Sequence, residues 1–301
     1  MSGPMHDWLS RARVEARDLV ELVLLPGLAA VLPWPLCFRL FRRLSRWGWP
    51  YQAACEAAWR EASARGQAGG DAVDWLAARR LVTLVDHADY YLGRFRGDGW
   101  MRRHLEVDGA WPPADEAAVL CTFHWGAGMW GLRHAAAAGL RAHALVAPLS
   151  GDHFRGRTVL GWYARARTAE VARALGQPTL DVSASLRPAI RALRAGEQVL
   201  AAVDVPSDQV SASEPISLLG MPARVPRGLL RLAVDQRAPV TVYVTGIRRA
   251  DGRRFLRIRQ LPPASDTGAL IGEVFALLEQ VIEEDRPAWH FWSEAPRFFV
   301  E

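Results

Sequence analysis

The sequence predicts an α/β protein with a mostly parallel sheet flanked by helices, preceded by an N-terminal helical segment that associates with a membrane. Short apolar runs alternate with helical patterns from about residue 117 onward, which is typical of such a sheet. Residues 51–105 are predicted to be helices, and a charge-free run at 22–38 predicts the membrane-associating segment. We therefore expect an anchor at 1–50 and an α/β domain at 51–301.

The run at 22–38 has 17 residues, the lower limit for a membrane span. Pro26, Pro33 and Pro35 interrupt it, so a continuous helix is not expected. Residues typical of a lipid–water interface accompany it: Trp34, Arg39, Arg42, Arg43, Arg46, Trp47 and Trp49. The pattern favours a broken hydrophobic helix lying in one leaflet. A buried core helix is the alternative.

The remaining elements follow from apolar periodicity and from turn residues. Pro188 lies in the first turn of a predicted helix and Gly196 just beyond its end. Strands are predicted at 118–123, 142–147, 198–203, 216–219, 240–245 and 255–260. Helices are predicted at 129–138, 162–175, 185–195, 227–236 and 273–284.

All 37 basic residues counted as lysine or arginine are arginines, and the formal net charge is +5. Without lysine, Walker-A phosphate binding and pyridoxal-phosphate chemistry are excluded. The arginines are spread along the chain, so nucleic acid is not an expected partner. The three cysteines lie far apart, so we expect reduced buried thiols and no zinc site.

Ligands bind open α/β sheets at the carboxyl ends of the strands, and two polar residues occupy such positions. His124 follows the predicted strand 118–123, and Asp204 follows the strand 198–203. A histidine and a carboxylate on adjacent strands form a plausible general base and its partner. Gly126 and Gly128 follow His124, and backbone N–H groups around them could stabilise an oxyanion at a helix N-terminus.

Several short segments of the chain recur together in one known family. They are His124 with its glycines, Leu193–Glu197 followed by Asp204, Leu218–Pro222 containing Gly220, Pro226–Gly228, the N-terminal Leu32–Leu40, and Arg286–Trp292 followed by Arg297 and Phe298. These segments span about residues 20–300, and their order and spacing are more specific than any one of them. Together they resemble the lysophospholipid acyltransferase superfamily, in particular its branch of late acyltransferases of lipid A biosynthesis.

One departure from that family concerns the catalytic motif, in which an acid follows the histidine after four residues. Met129 occupies this position here, and a thioether cannot orient an imidazole as a carboxylate does. Three possibilities stay open: Asp152, Asp204 or Asp208 supplies the carboxylate, His124 acts alone and more slowly, or acyl transfer has been lost.

The resemblance implies an acyltransferase at the cytoplasmic face of an inner membrane. It would move a fatty acyl group from an acyl carrier protein or coenzyme A thioester to a hydroxyl of a lipid-like acceptor. His124 would be the general base, with Asp204 its partner. Arg165, Arg167 and Arg227 would bind phosphate, and Gly220 would lie beside the substrate. No metal or redox cofactor is expected. An inactive lipid-binding scaffold and a hydrolase using the same histidine are the alternatives.

Overall fold

The computed structural model describes residues 4–146, 154, 156–183 and 185–300, and in them seven strands form one sheet. Two further strands form a separate hairpin. The strands are β1 (Leu105–Asp108), β2 (Ala118–Thr122), β3 (Ala142–Val146), β4 (Leu180–Asp181), β5 (Gln198–Ala202), β6 (Ser213–Leu218), β7 (Met221–Pro226), β8 (Val240–Ile247) and β9 (Arg254–Leu261).

The order of strands in the sheet is β1-β9-β8-β2-β5-β3-β4. β2 is parallel to its neighbours β5 and β8, and β3 is parallel to β5. β9 runs antiparallel to β8, because a short connection turns the chain directly back beside it. The predicted α/β architecture with a mostly parallel sheet and flanking helices is therefore confirmed.

The helices are α1 (Pro4–Leu19), α2 (Leu25–Val31), α3 (Trp34–Leu44), α4 (Gln52–Ala64), α5 (Ala72–Phe95), α6 (Asp98–His104), α7 (Met129–Ala137), α8 (Thr158–Leu175), α9 (Arg187–Arg194), α10 (Gly228–Gln236) and α11 (Thr267–Glu284). A π-helical turn, Val20–Leu24, joins α1 to α2, and 3-10 turns lie at Ser207–Gln209, Arg286–Ala288 and His290–Arg297.

The predicted strands and helices are found within a few residues of their expected bounds, except that α11 begins earlier, at Thr267. The strands β4 and β7 were not predicted. The last residue of the strand predicted at 142–147, Ala147, lies outside the described residues. β1 follows α6 directly where only helices were expected, since its exposed residues Glu106, Val107 and Asp108 do not mark a buried strand. β2 is buried on both faces, as its central place in the sheet requires.

The N-terminal run at 22–38 is broken, with α2 ending before Pro33 and α3 beginning after it. One face of α3 lies in the protein core, where Trp34, Phe38 and Phe41 are buried. The Trp34 indole donates a hydrogen bond of 2.9 Å to the Gly252 carbonyl in the β8–β9 connection. No helix among the described residues has the length and apolar character needed to cross a membrane.

A buried ion pair joins α5 to the sheet. Arg254, at the start of β9, donates from Nε to Asp89 of α5 at 3.0 Å, and both side chains are fully buried. The Arg254 guanidinium lies 4.1 Å from the ring centroid of Trp34 and 4.2 Å from that of Trp130. One cation therefore connects α3, α5, α7 and β9, and cation–π contacts compensate part of its lost hydration.

We expect Arg254→Met to lower the free energy of unfolding by about 3–5 kcal/mol, because it leaves the Asp89 carboxylate buried without its partner. Urea denaturation measures the change. Arg253→Met is the matched control, since Arg253 pairs with Glu106 at the surface and its loss should cost less than about 1 kcal/mol. Equal stability of the two variants would show that the buried pair does not support the fold.

Candidate functional site

His124 and Asp204 meet at the carboxyl end of the sheet. β2 and β5 are neighbouring parallel strands, and the Val203 N–H donates to the Thr122 carbonyl at 3.0 Å just before each polar residue. His124 and Asp204, each the second residue after its strand, therefore face each other. The pairing of β2 with β5 brings the two side chains together at the end of the sheet.

The Asp204 carboxylate is fully buried and accepts hydrogen bonds from two neighbouring residues. The His124 main-chain N–H donates to Oδ1 at 2.8 Å and to Oδ2 at 2.9 Å, and its ring Nδ1 lies 2.9 Å from Oδ1. The Trp289 indole N–H donates to Oδ2 at 3.0 Å. Because a carboxylate accepts, the His124 proton belongs on Nδ1, and Nε2 keeps its lone pair.

The His124 side chain is 41% exposed, so its ring is accessible to a ligand. The Phe291 ring packs edge-on against it with centroids 4.5 Å apart, which restricts its rotation. Of the carboxylates considered from the sequence, Asp204 holds the imidazole. Asp208 instead pairs with Arg297 at 2.7 Å, and Asp152 lies outside the described residues.

Met129, the residue at which the resemblance leads one to expect an acid, is the first residue of α7 and lines the cleft beside His124. The thioether cannot orient the imidazole by accepting a strong hydrogen bond. Asp204 performs the orienting contact from the next strand. Asp204 lies 80 residues further along the chain than His124.

The glycines after His124 have different environments. Gly126 has a φ of 70°, and a Cβ there would collide with the Thr245 carbonyl, so this glycine is required by close backbone approach. Its N–H donates to Ala288 at 3.0 Å, and the N–H of Ala127 donates to Thr245 at 2.8 Å. These two groups are therefore not free to hold an oxyanion.

Gly128 differs, because a Cβ there would meet open space and the residue lines the cleft. Within the described part of the chain, its N–H has no hydrogen-bond partner. It lies at the N-terminus of α7, where the helix dipole favours negative charge. The expected oxyanion donors are therefore narrowed to Gly128 and the helix start.

A cleft of about 540 Å³ opens beside His124. This volume lies within the range of about 300–1,000 Å³ found for small-molecule sites. Most of the wall is apolar and comes from the sheet, α7, α8 and the π-helical turn. Representative residues are Leu22, Leu132, Ala144, Leu145, Leu160 and Leu200.

A polar cluster from α5 and α8 occupies one side of this cleft. Arg167 donates from Nη2 to both oxygens of Asp86 at 2.7 Å. Burial would raise the pKa of Asp86, but the Arg167 charge prevails and lowers that pKa to about 2. The charge of the Arg167 guanidinium is thus neutralised by Asp86. Phosphate binding by Arg167 stays a prediction, and it would require the phosphate to replace Asp86 as the partner of the guanidinium.

His87 and His290 belong to the same side of the cleft, next to Tyr163. Burial, helped by the charge of Arg167, lowers the pKa of His87 to about 3. Burial, helped by the charge of Arg79, lowers the pKa of His290 to about 4. Both imidazoles are neutral at neutral pH.

The other predicted residues lie away from the cleft. Arg165 is exposed on α8. Arg227 pairs with Glu214 at 3.2 Å at the start of α10. Gly220, with Leu219, forms the tight turn between β6 and β7, where positive φ values of 55° and 74° favour glycine at the second position. None of the three residues lines the cleft. The presence of glycine at position 220 is explained by the tight turn, not by contact with a substrate.

Sequence reasoning missed Asp86, His87, Tyr163 and the function of Trp289 in holding Asp204. The first three carry no motif, and only the folded contact between α5 and α8 unites them. Trp289 and His290 lie in the aromatic C-terminal segment, Arg286–Trp292, that carries part of the family resemblance. The number of aromatic residues in this segment was the sequence signal that could have placed it near the site.

No protein-family model matches this chain, and a search of curated proteins gave no match.

We expect the stability of the protein to fall as pH is lowered from about 6.5 to about 4, partly because of His87 and His290. In this interval the two histidines bind protons in the unfolded state but not in the folded state. Proton binding therefore stabilises the unfolded state and lowers the free energy of unfolding. Chemical denaturation at several pH values measures the slope. His290→Phe should reduce the slope by up to about 1.4 kcal/mol per pH unit. An unchanged slope in both His290→Phe and His87→Phe would contradict this origin.

Proposed function

We propose that the protein is an acyltransferase that moves a fatty acyl group from a carrier thioester to the hydroxyl of a lipid-like acceptor. The observation that carries the proposal is the His124–Asp204 pair, with Nδ1 and Oδ1 2.9 Å apart, at the edge of a largely apolar cleft. An oriented imidazole with a free Nε2 is suited to deprotonate a hydroxyl. An apolar cleft beside it is suited to an acyl chain.

In the proposed reaction, Nε2 of His124 removes the acceptor hydroxyl proton as the oxygen attacks the thioester carbonyl. The new C–O bond forms, the C–S bond breaks, and the imidazolium returns its proton to the leaving thiolate. Asp204 stabilises the imidazolium, as the carboxylate of a catalytic triad does. The N–H of Gly128, at the start of α7, stabilises the oxyanion.

The acyl donor would be an acyl carrier protein or a coenzyme A thioester. The net charge of +5 favours acidic partners of either kind, since opposite charges accelerate encounter. This proposal needs no metal or redox group, because both the base and the oxyanion donors are protein groups.

A hydrolase using the same residues is the second candidate, because water could replace the acceptor hydroxyl. It would release free fatty acid without an acceptor. A scaffold without activity is less well supported, since binding alone does not require a buried carboxylate that orients an exposed imidazole.

We also propose that the N-terminal region lies on the surface of an anionic membrane. Leu24 and Val31 are 54% and 74% exposed, and they line an apolar depression with Phe95 from α5. The neighbouring residue Leu22 lines the cleft, so this surface adjoins the proposed acyl site. Exposed cationic and aromatic residues of the kind found at lipid headgroups follow: Arg39, Arg42, Arg43, Arg46, Trp47 and Trp49.

We expect His124→Gln to lower kcat by about 10³-fold or more, and Asp204→Asn to lower it by about 10²- to 10⁴-fold. The assay follows thiol release and ester formation from acyl-coenzyme A and acyl carrier protein donors with a membrane lipid extract as acceptor. Asp204→Asn keeps the shape of the side chain but removes the charge that stabilises the imidazolium.

His143→Gln is the matched control, because His143 also pairs with a carboxylate, Glu197, at 3.0 Å but does not line the cleft. It should retain wild-type turnover. Thioester turnover that is unchanged in His124→Gln would overturn the mechanism. Turnover that yields free fatty acid regardless of acceptor would favour the hydrolase.

We expect the double variant Leu24→Glu/Val31→Glu to lose at least about tenfold in partitioning to anionic vesicles, because two apolar side chains would no longer enter the lipid. Sedimentation with vesicles measures the partitioning. Val73→Glu is the control, since Val73 is 67% exposed at the start of α5 and does not line the apolar depression. Equal binding by all three proteins would contradict the proposed surface.

A further inference from the structure

Two neutral histidines in the cleft have ring nitrogens whose hydrogen-bonding capacity is unused. His87 projects from α5, and His290 follows the Trp289 that holds Asp204. Both line the cleft together with Tyr163. Most of the wall is apolar, so these two rings offer a ligand polar contacts in addition to the proposed catalytic base His124 and the Arg167–Asp86 pair.

The proton of His290 is located by a main-chain carbonyl. Nε2 lies 2.7 Å from the oxygen of Gly126, and a carbonyl oxygen only accepts, so Nε2 carries the proton. Nδ1 is then an acceptor. Among the described residues, nothing donates to it.

The proton of His87 is located by two donors. The Arg167 guanidinium approaches Nδ1 at 3.4 Å, and the Tyr163 hydroxyl lies 2.8 Å from the same nitrogen. A guanidinium only donates, so Nδ1 accepts from Arg167, and the Tyr163 hydroxyl hydrogen points at the same nitrogen. Nδ1 therefore accepts, and the proton lies on Nε2.

The Nε2–H of His87 is consequently a free donor within the described residues. One side of the cleft thus offers a fixed donor from His87 and a fixed acceptor from His290. A hydroxyl group both donates and accepts, so it matches this pair of functions.

We propose that the cleft binds a hydrocarbon chain that carries a hydroxyl group, with His87 and His290 as the residues that recognise this hydroxyl. The proposal rests on the proposed function only in placing a chain in the cleft. It adds a substrate class, because an unsubstituted chain would leave a buried donor and a buried acceptor without partners.

A charged group fits this side of the cleft less well than a hydroxyl. Asp86 already neutralises Arg167, so the ion pair leaves no uncompensated positive charge to attract an anion. The two imidazoles are neutral and present one donor and one acceptor. Phosphate offers only acceptors at most positions, so it would face the His290 lone pair unfavourably.

The test is equilibrium binding of stearic acid and its positional monohydroxy isomers to the purified full-length protein. We expect at least one isomer to bind about tenfold more tightly than stearic acid, the ratio that two neutral hydrogen bonds provide. His87→Phe and His290→Phe should each remove most of that preference. Phenylalanine keeps the ring packing of His87 against Tyr51 and Tyr163.

His87→Gln is the rescue variant, because its amide N–H can reach the position of Nε2 and should restore part of the preference even if a phenylalanine variant folds poorly. His104→Phe, outside the cleft, should behave as wild type. His124→Gln should keep the preference while losing turnover, which separates this proposal from the catalytic one. The proposal is overturned if no isomer binds more tightly than stearic acid, because water then satisfies the two rings. It is also overturned if the preference survives in His87→Phe and His290→Phe, because the two rings then do not recognise the hydroxyl.

Discussion

The buried carboxylate of Asp204 is the group on which the site depends. A buried carboxylate must receive hydrogen bonds, and this one receives them from the main chain and ring of His124 and from the indole of Trp289. The hydrogen bond from Trp289 holds the C-terminal segment, Arg286–Trp292, against the end of β2. The His290 N–H reinforces the contact by donating to the His124 carbonyl at 2.7 Å. One carboxylate therefore orients the proposed base and closes one side of its surroundings.

The position of this carboxylate shows that the orientation of His124 does not depend on an acid at position 129. An imidazole needs a carboxylate at Nδ1, and the physical requirement is a distance and a direction rather than a spacing in the sequence. The end of β5 lies beside the end of β2, so it meets the requirement as well as a helix turn does. Met129 then becomes part of the cleft wall.

Charge in the cleft is largely balanced within the protein. Arg167 is compensated by Asp86, whereas the two nearby histidines are neutral because burial opposes their protonation. The arginine-rich composition suggested anionic ligands for several side chains, but pairing with carboxylates leaves the α5–α8 side suited to neutral polar groups. The exposed arginines of α3 remain at the surface, where they can meet lipid headgroups.

The sequence by itself determined the central strands, the main helices and the position of His124 and Asp204 at strand ends, because apolar periodicity and strand ends are local properties of the chain. It favoured Asp204 as the carboxylate partner of His124 but left Asp152 and Asp208 open, because only the placement of β5 beside β2 brings the two side chains into contact. It also did not reveal that Gly126 is needed for close packing and Gly220 for a tight turn. Only the tertiary structure decided the tautomers of His87 and His290, because a ring proton is fixed by partners that lie far away in the chain and are brought near by folding.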